Sequence, residues 1–155
     1  MTGTVLGTGS TARCAMNSGH KGRALGVGGI FFRSRNPARL GSWYAETLGI
    51  PIQAWGQTQG TSFAPADMPE HAFTVWSIFE QGTDYFGDGE QGFMINLVVD
   101  DLDAALQRVD AAGGQVINER EEHDYGRFGW FNDPDGNRVE LWEPPTELPV
   151  EDDDD

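Results

Sequence analysis

Only one cysteine, Cys14, occurs in 155 residues. That excludes an intrachain disulfide and makes a reducing compartment the default expectation. Basic residues are scarce as well: 10 Lys and Arg stand against 25 Asp and Glu, a formal charge of −15. Residues 1–24 hold three bases and no acid, residues 146–155 hold six acids and no base, and the stretch between them still carries 7 basic against 19 acidic groups. A field of that sign repels phosphate backbones, which argues against nucleic-acid binding, and it would draw in a cationic small molecule. No apolar run is long enough to cross a bilayer, and residues 1–24 lack the apolar stretch of a secretory signal. These absences point to a cytoplasmic protein without a membrane partner. Histidine is nearly missing too, with only His20, His71 and His123.

What is present suffices for one domain, since 38% of residues are apolar and 11% aromatic. Residues 1–24 are rich in Gly, Ser and Thr without periodicity and read as a disordered arm; residues 145–155 read as a loose acidic tail. Between them lies a repeat. "GIFFRSRNPARLGSWYAETLGIPI" from Gly29 aligns without a gap to "MINLVVDDLDAALQRVDAAGGQVI" from Met94, an offset of 65 residues. Each copy opens with a short apolar strand and reaches a helix start, Asn36-Pro37 or Asp101-Leu102. Asn and Asp accept from orphan helix amides, and Pro suits the first helical position. The apolar stripes are Leu40, Trp43, Tyr44 and Leu48 in one helix and Leu102, Ala105, Leu106 and Val109 in the other. Both helices are expected to stop at glycine, Gly49 and Gly114.

Strand patterns follow each helix, at about 50–54, 62–64 and 73–79 in the first half and 115–120, 126–132 and 137–143 in the second. "NDPDGN" closes a hairpin between the last two, with Pro134 preset in φ and Gly136 free to take positive φ. The expected fold class is α+β: two βαβββ modules, about 25–80 and 91–144, within one domain over 25–144. A single such unit leaves a sheet face uncovered, so the two must share a core or a cup.

Strand-helix-three-strands, duplicated, with "SWYAETLGI" after the first strand and "DPDGNRVELWEP" at the close, resembles the vicinal oxygen chelate superfamily. That superfamily includes glyoxalase I, bleomycin-resistance proteins and extradiol dioxygenases; within it the chain is most similar to small bacterial glyoxalase-like proteins. The resemblance covers roughly 25–144 and implies a cup-shaped curved sheet with helices outside, often in a homodimer. It also implies a divalent metal held by His, Glu or Gln from the first and a late strand of each module, acting as a Lewis acid on neighbouring substrate oxygens. The carry-over of those ligands mostly fails. The first-strand positions hold Gly29 and Met94, and the late-strand position of the first module falls within Val75, Trp76 and Ser77. Only Glu140, in "NRVEL", matches, and one carboxylate cannot hold a transition metal alone.

Alternation along strands places Arg138 and Trp142 on the face of Glu140, with Phe31, Arg33, Met94 and Asn96 from the opening strands and Trp76 from the first module. Tyr125 would rim the entrance from "EREEHDYGRF". The Gly-rich stretch 80–93 would bring Tyr85 and Phe86 over the cup or onto a second subunit. Such a chamber suits a small aromatic or cationic guest bound without a cofactor. Two enzymatic readings stay open: a metal-dependent lyase, isomerase or dioxygenase with non-standard ligands, and a metal-free isomerase using Glu140 as acid-base catalyst. So do structural ones, in which Phe31, Trp76 and Trp142 are core and Arg33 pairs with Glu140.

Overall fold

The computed structural model describes residues 21–148; the expectations for 1–20, with Cys14 and His20, and for 149–155 lie outside the described residues. Two helices form where the caps place them. In α1 (Pro37–Leu48) the Asn36 side chain accepts from the Arg39 amide at 3.1 Å, and Gly49 ends the helix in the left-handed region. In α2 (Leu102–Ala111) Asp101 accepts from the Ala104 amide at 3.0 Å. The second helix does not stop as expected at Gly114. The left-handed residue is Gly113, at φ 82°. Gly114 is small for a different reason: a Cβ there would lie 2.6 Å from Val109 Cγ1 and 3.0 Å from the Trp43 ring.

The second half builds a four-stranded sheet in the order β3-β6-β5-β4, from β3 (Ile95–Val98), β4 (Gln115–His123), β5 (Gly126–Asn132) and β6 (Arg138–Glu143). β3 runs parallel to β6, and the other pairs are antiparallel. The strand β4 is bulged between Ile117 and Arg120; the Arg120 guanidinium donates to the Ile117 and Glu119 carbonyls there, at 2.6 and 2.7 Å. The β5–β6 hairpin is closed by Asp133, a buried carboxylate that accepts from the amides of Asp135 and Asn137, the Asn137 side chain and the Tyr44 hydroxyl, the last at 2.8 Å. Tyr44 thereby ties α1 to the turn.

One sheet face packs on both helices. The core there comprises Leu40 and Tyr44 of α1, Leu102, Ala105, Leu106 and Val109 of α2, and Phe131, Val139 and Leu141 of the strands. The α2 stripe is buried as its periodicity requires; in α1, Trp43 and Leu48 are only partly buried against the core. Period-two alternation then turns Trp130, Glu140 and Trp142 to the other face.

The first half departs from the expected pattern. Only β1 (Gln53–Trp55) and β2 (Thr58–Gly60) pair, as a separate two-stranded sheet. The stretches 30–32, 62–64 and 73–79 form no strand, and Phe31 is 92% and Trp76 76% exposed. The connection differs between the halves. Where the second half has a tight turn between β5 and β6, the first has a longer link, 65–72, that opens with a short 3-10 turn, Pro65–Asp67. β-propensity without a hydrogen-bonded neighbour makes no strand. The described architecture is thus mixed α+β, two helices with open sheets, compatible with the glyoxalase fold. Among the described residues no helix is long and apolar enough to cross a membrane.

Two outcomes test this account. Gly126 has φ 129°, and a Cβ would collide with the Glu143 carbonyl and the Trp142 indole nitrogen, whereas at Gly136, φ 86°, a Cβ meets open space. Gly126→Ala should therefore lower the melting temperature several degrees more than Gly136→Ala, whose cost is the left-handed backbone alone, about 1–2 kcal/mol. Tyr44 gives a pH signature. Burial first, then the charge and hydrogen bond of Asp133, push its phenol well above the ordinary tyrosine value. A raised folded value means stabilisation that is intact below the unfolded pKa of about 10 and is lost as pH rises above it. Chemical denaturation from pH 8 to 12 should show a shallower alkaline loss in Tyr44→Phe, although that variant starts less stable at pH 8.

Candidate functional site

Glu140 is the centre of the face turned away from the helices. It is 7% exposed, and its two carboxylate oxygens are taken by three neutral donors. The Asn96 amide donates to Oε1 at 2.6 Å, and the Trp130 indole N–H donates to Oε2 at 2.8 Å. The Tyr85 hydroxyl also donates to Oε2, in a short hydrogen bond. Two of these donors follow from strand register, because Asn96 on β3 and Trp130 on β5 both stand directly opposite Glu140 on β6. The third arrives from the loop between the halves.

That loop is built to reach inward. Gln91 donates to the Arg138 carbonyl at 2.9 Å and accepts from the Arg138 amide at 2.8 Å, extending the β3 side of the ladder with a side chain. Turns from Glu80 to Thr83 and from Asp84 to Gly87 bracket Tyr85. Gly87, at φ 87°, lets the loop pass Arg138, whose Cδ would be 3.1 Å from a Cβ there. Tyr85 then stacks on Phe79 at 5.2 Å and 14° and meets the Trp130 ring edge-on at 6.0 Å. Burial, then the hydrogen bond and charge of Glu140, push its phenol well above the ordinary tyrosine value, so it stays a donor.

Beside this centre runs an aromatic row. Trp142 stacks on Phe128 at 6.2 Å and 8°, Phe73 meets it edge-on at 5.0 Å, and its indole N–H donates to the Tyr125 carbonyl at 2.8 Å. Tyr125 is 54% exposed and stacks on His123 at 4.8 Å. A cavity of about 120 Å³ opens here, with an apolar lining that includes Phe73, Tyr125, Pro145 and Leu148.

Of the residues expected at a site, Glu140, Asn96, Trp142 and Tyr125 share this face, and Met94 is half-buried just before β3. Phe31 and Trp76 are exposed and make no ring contact among the described residues. Arg33 is exposed and forms no ion pair with Glu140, so the expected pairing across a cup is replaced by uncharged donors. The nearby cation, Arg138, places its guanidinium 5.9 Å from the Trp130 ring centroid instead. Trp130 was not among the expected residues, yet its position could be read: the hairpin centred on Asp135 sets residue 130 opposite 140.

The donor set does not fit the metal that the resemblance implies. No group of three His, Cys, Asp or Glu side chains converges among the described residues. Moreover, the protons of Trp130, Asn96 and Tyr85 point at the oxygens a cation would need. His123 bonds Glu121 at 3.1 Å on the surface, and His71 lines the apolar cavity.

Comparison with known proteins adds a family. No curated protein sequence matches the chain. Among solved structures, a glyoxalase/bleomycin resistance protein from Catenulispora acidiphila DSM 44928 is 32% identical over 34% of this chain and 47% of its own, at a TM-score of 0.28. A member of the glyoxalase/bleomycin resistance protein/dioxygenase superfamily from Sphaerobacter thermophilus DSM 20745 is 22% identical over 78% of this chain and 98% of its own, at 0.44. TnmS3, an antibiotic binding protein from Streptomyces sp. CB03234, is 21% identical over 68% and 84%, at 0.40. Membership itself rests on the sequence profile of the glyoxalase-like domain, which matches residues 29–142. The chain belongs to the glyoxalase-like domain family, within the vicinal oxygen chelate superfamily.

Proposed function

We propose that this protein binds a small organic molecule on the Glu140 face without the metal of its superfamily. The observation that carries the reading is the buried Glu140 carboxylate held by Asn96, Trp130 and Tyr85, with no ion pair to it among the described residues and an aromatic row alongside. A carboxylate held by neutral dipoles can accept a further donor from a guest, and aromatic walls with few polar groups are the usual lining of a small-molecule site. The acidic surplus favours a cationic guest and the aromatic row an aromatic one. An antibiotic-binding protein among the structural neighbours is consistent with this role. The same proposal includes the finer architecture: a second βαβββ module completed from 30–32, 50–54, 62–64 and 73–79, which would carry Phe31, Arg33 and Trp76 towards the Glu140 face and close a cup, in the cytoplasm and in a homodimer.

Quenching of tryptophan fluorescence, with Trp130 and Trp142 as reporters, tests it. A library of aromatic amines and neutral aromatics should yield saturable binding whose affinity is unchanged by excess EDTA. In Glu140→Gln a cationic guest should bind at least tenfold more weakly, because a charge-assisted hydrogen bond contributes about 1.5–3 kcal/mol. Binding that disappears with the chelator and returns with Mn, Fe, Ni or Zn would instead establish the metal-dependent reading.

A further inference from the structure

We infer that Tyr85 is an internal surrogate for the ligand, and that the subsite it fills is built for a phenolic ring. This rests on the Glu140 face being a binding site, and it names the chemistry of the guest: a hydroxyaryl compound. Three observations converge. The two other donors to Glu140 belong to strands whose register fixes them, whereas Tyr85 belongs to a loop. Asn96 and Trp130 therefore form a permanent half-shell around the carboxylate and leave Oε2 room for one exchangeable O–H donor, since a carboxylate accepts about four hydrogen bonds. The ring of Tyr85 occupies a slot, flat against Phe79 at 5.2 Å and edge-on to Trp130 at 6.0 Å. Those are the two geometries that aromatic rings prefer.

The loop is also anchored on its β3 side, where Gln91 holds the Arg138 backbone through two hydrogen bonds beyond Gly87 and Gly89, and a turn from Glu80 to Thr83 leads into the tip on the other. The tip is held by the hydroxyl and the ring contacts of Tyr85, with those of Phe86 on Phe79. A free phenol offers the same hydroxyl and the same ring. An arene without the hydroxyl would strand a buried charge short of a donor, which makes the subsite discriminate between the two.

The test empties the subsite and refills it. Tyr85→Ala is titrated with p-cresol and with toluene by calorimetry. It should bind p-cresol at least tenfold more tightly than toluene, and at least tenfold more tightly than the unmodified protein does. Adding Glu140→Gln, which replaces the charged acceptor by a neutral amide, should reduce the p-cresol preference to a few-fold. If Tyr85→Ala does not fold, Tyr85→Phe serves: loss of the hydroxyl weakens the plug, so p-cresol should bind this variant more tightly than it binds the unmodified protein, and more tightly than toluene binds the same variant. Equal binding of p-cresol and toluene, or no binding of either to a folded variant, overturns the inference. A p-cresol preference in a protein whose unmodified form binds nothing in the library would leave the subsite chemistry standing and remove the proposed function. Library binding without that preference would do the reverse.

Discussion

The register of β6 between its two neighbours is the constraint on which the site depends. Once the Asp133 turn sets residue 130 against 140 and the parallel β3–β6 pairing sets 96 against 140, a carboxylate and two N–H donors converge on one sheet face. A slip of one residue would send Glu140 into the helix-facing core among Phe131, Val139 and Leu141, where no donor waits. The buried Tyr44–Asp133 hydrogen bond matters for the same reason: it couples the turn that defines register to the helix that covers the core.

Charge is handled in two ways. At the surface, acids gather around a basic centre, as where Arg127 reaches Asp103 at 2.9 Å, Glu143 at 3.1 Å and Glu122 at 3.3 Å. These are exposed contacts of small individual worth. At Glu140, an unpaired buried charge would be very costly, and no cation is spent on it; oriented dipoles of an amide, an indole and a phenol share the work. This solution suits recognition. A metal or an arginine at the same place would neutralise the group, whereas neutral donors leave its charge to act on whatever replaces the outermost of them.

The first half explains why so much apolar surface stands in the open. Its segments have the composition of strands, but the link 65–72 does not pair them, whereas the second half closes its hairpin through Asp133. Phe31, Val75, Trp76 and Ile78 stay largely exposed as a result. Exposed apolar surface on that scale usually marks a place where something else packs.

Both helices and much of the second half were legible from residues alone. Caps at Asn36 and Asp101, the 3.6-residue stripe of α2 and the "DPDG" turn are short-range patterns, each satisfied within a few residues, so sequence determines them nearly unaided. Period-two alternation likewise placed Asn96 and Trp142 with Glu140 on one sheet face. The loop donor to Glu140 could not be read that way. Tyr85 is 55 residues away in sequence and reaches the carboxylate only because Gln91 pins its loop to Arg138. Likewise 30–32 and 73–79 have a strand's composition, but a strand exists only when a distant segment supplies its hydrogen bonds. Which segments meet depends on how the whole chain closes, and only the tertiary structure decided that.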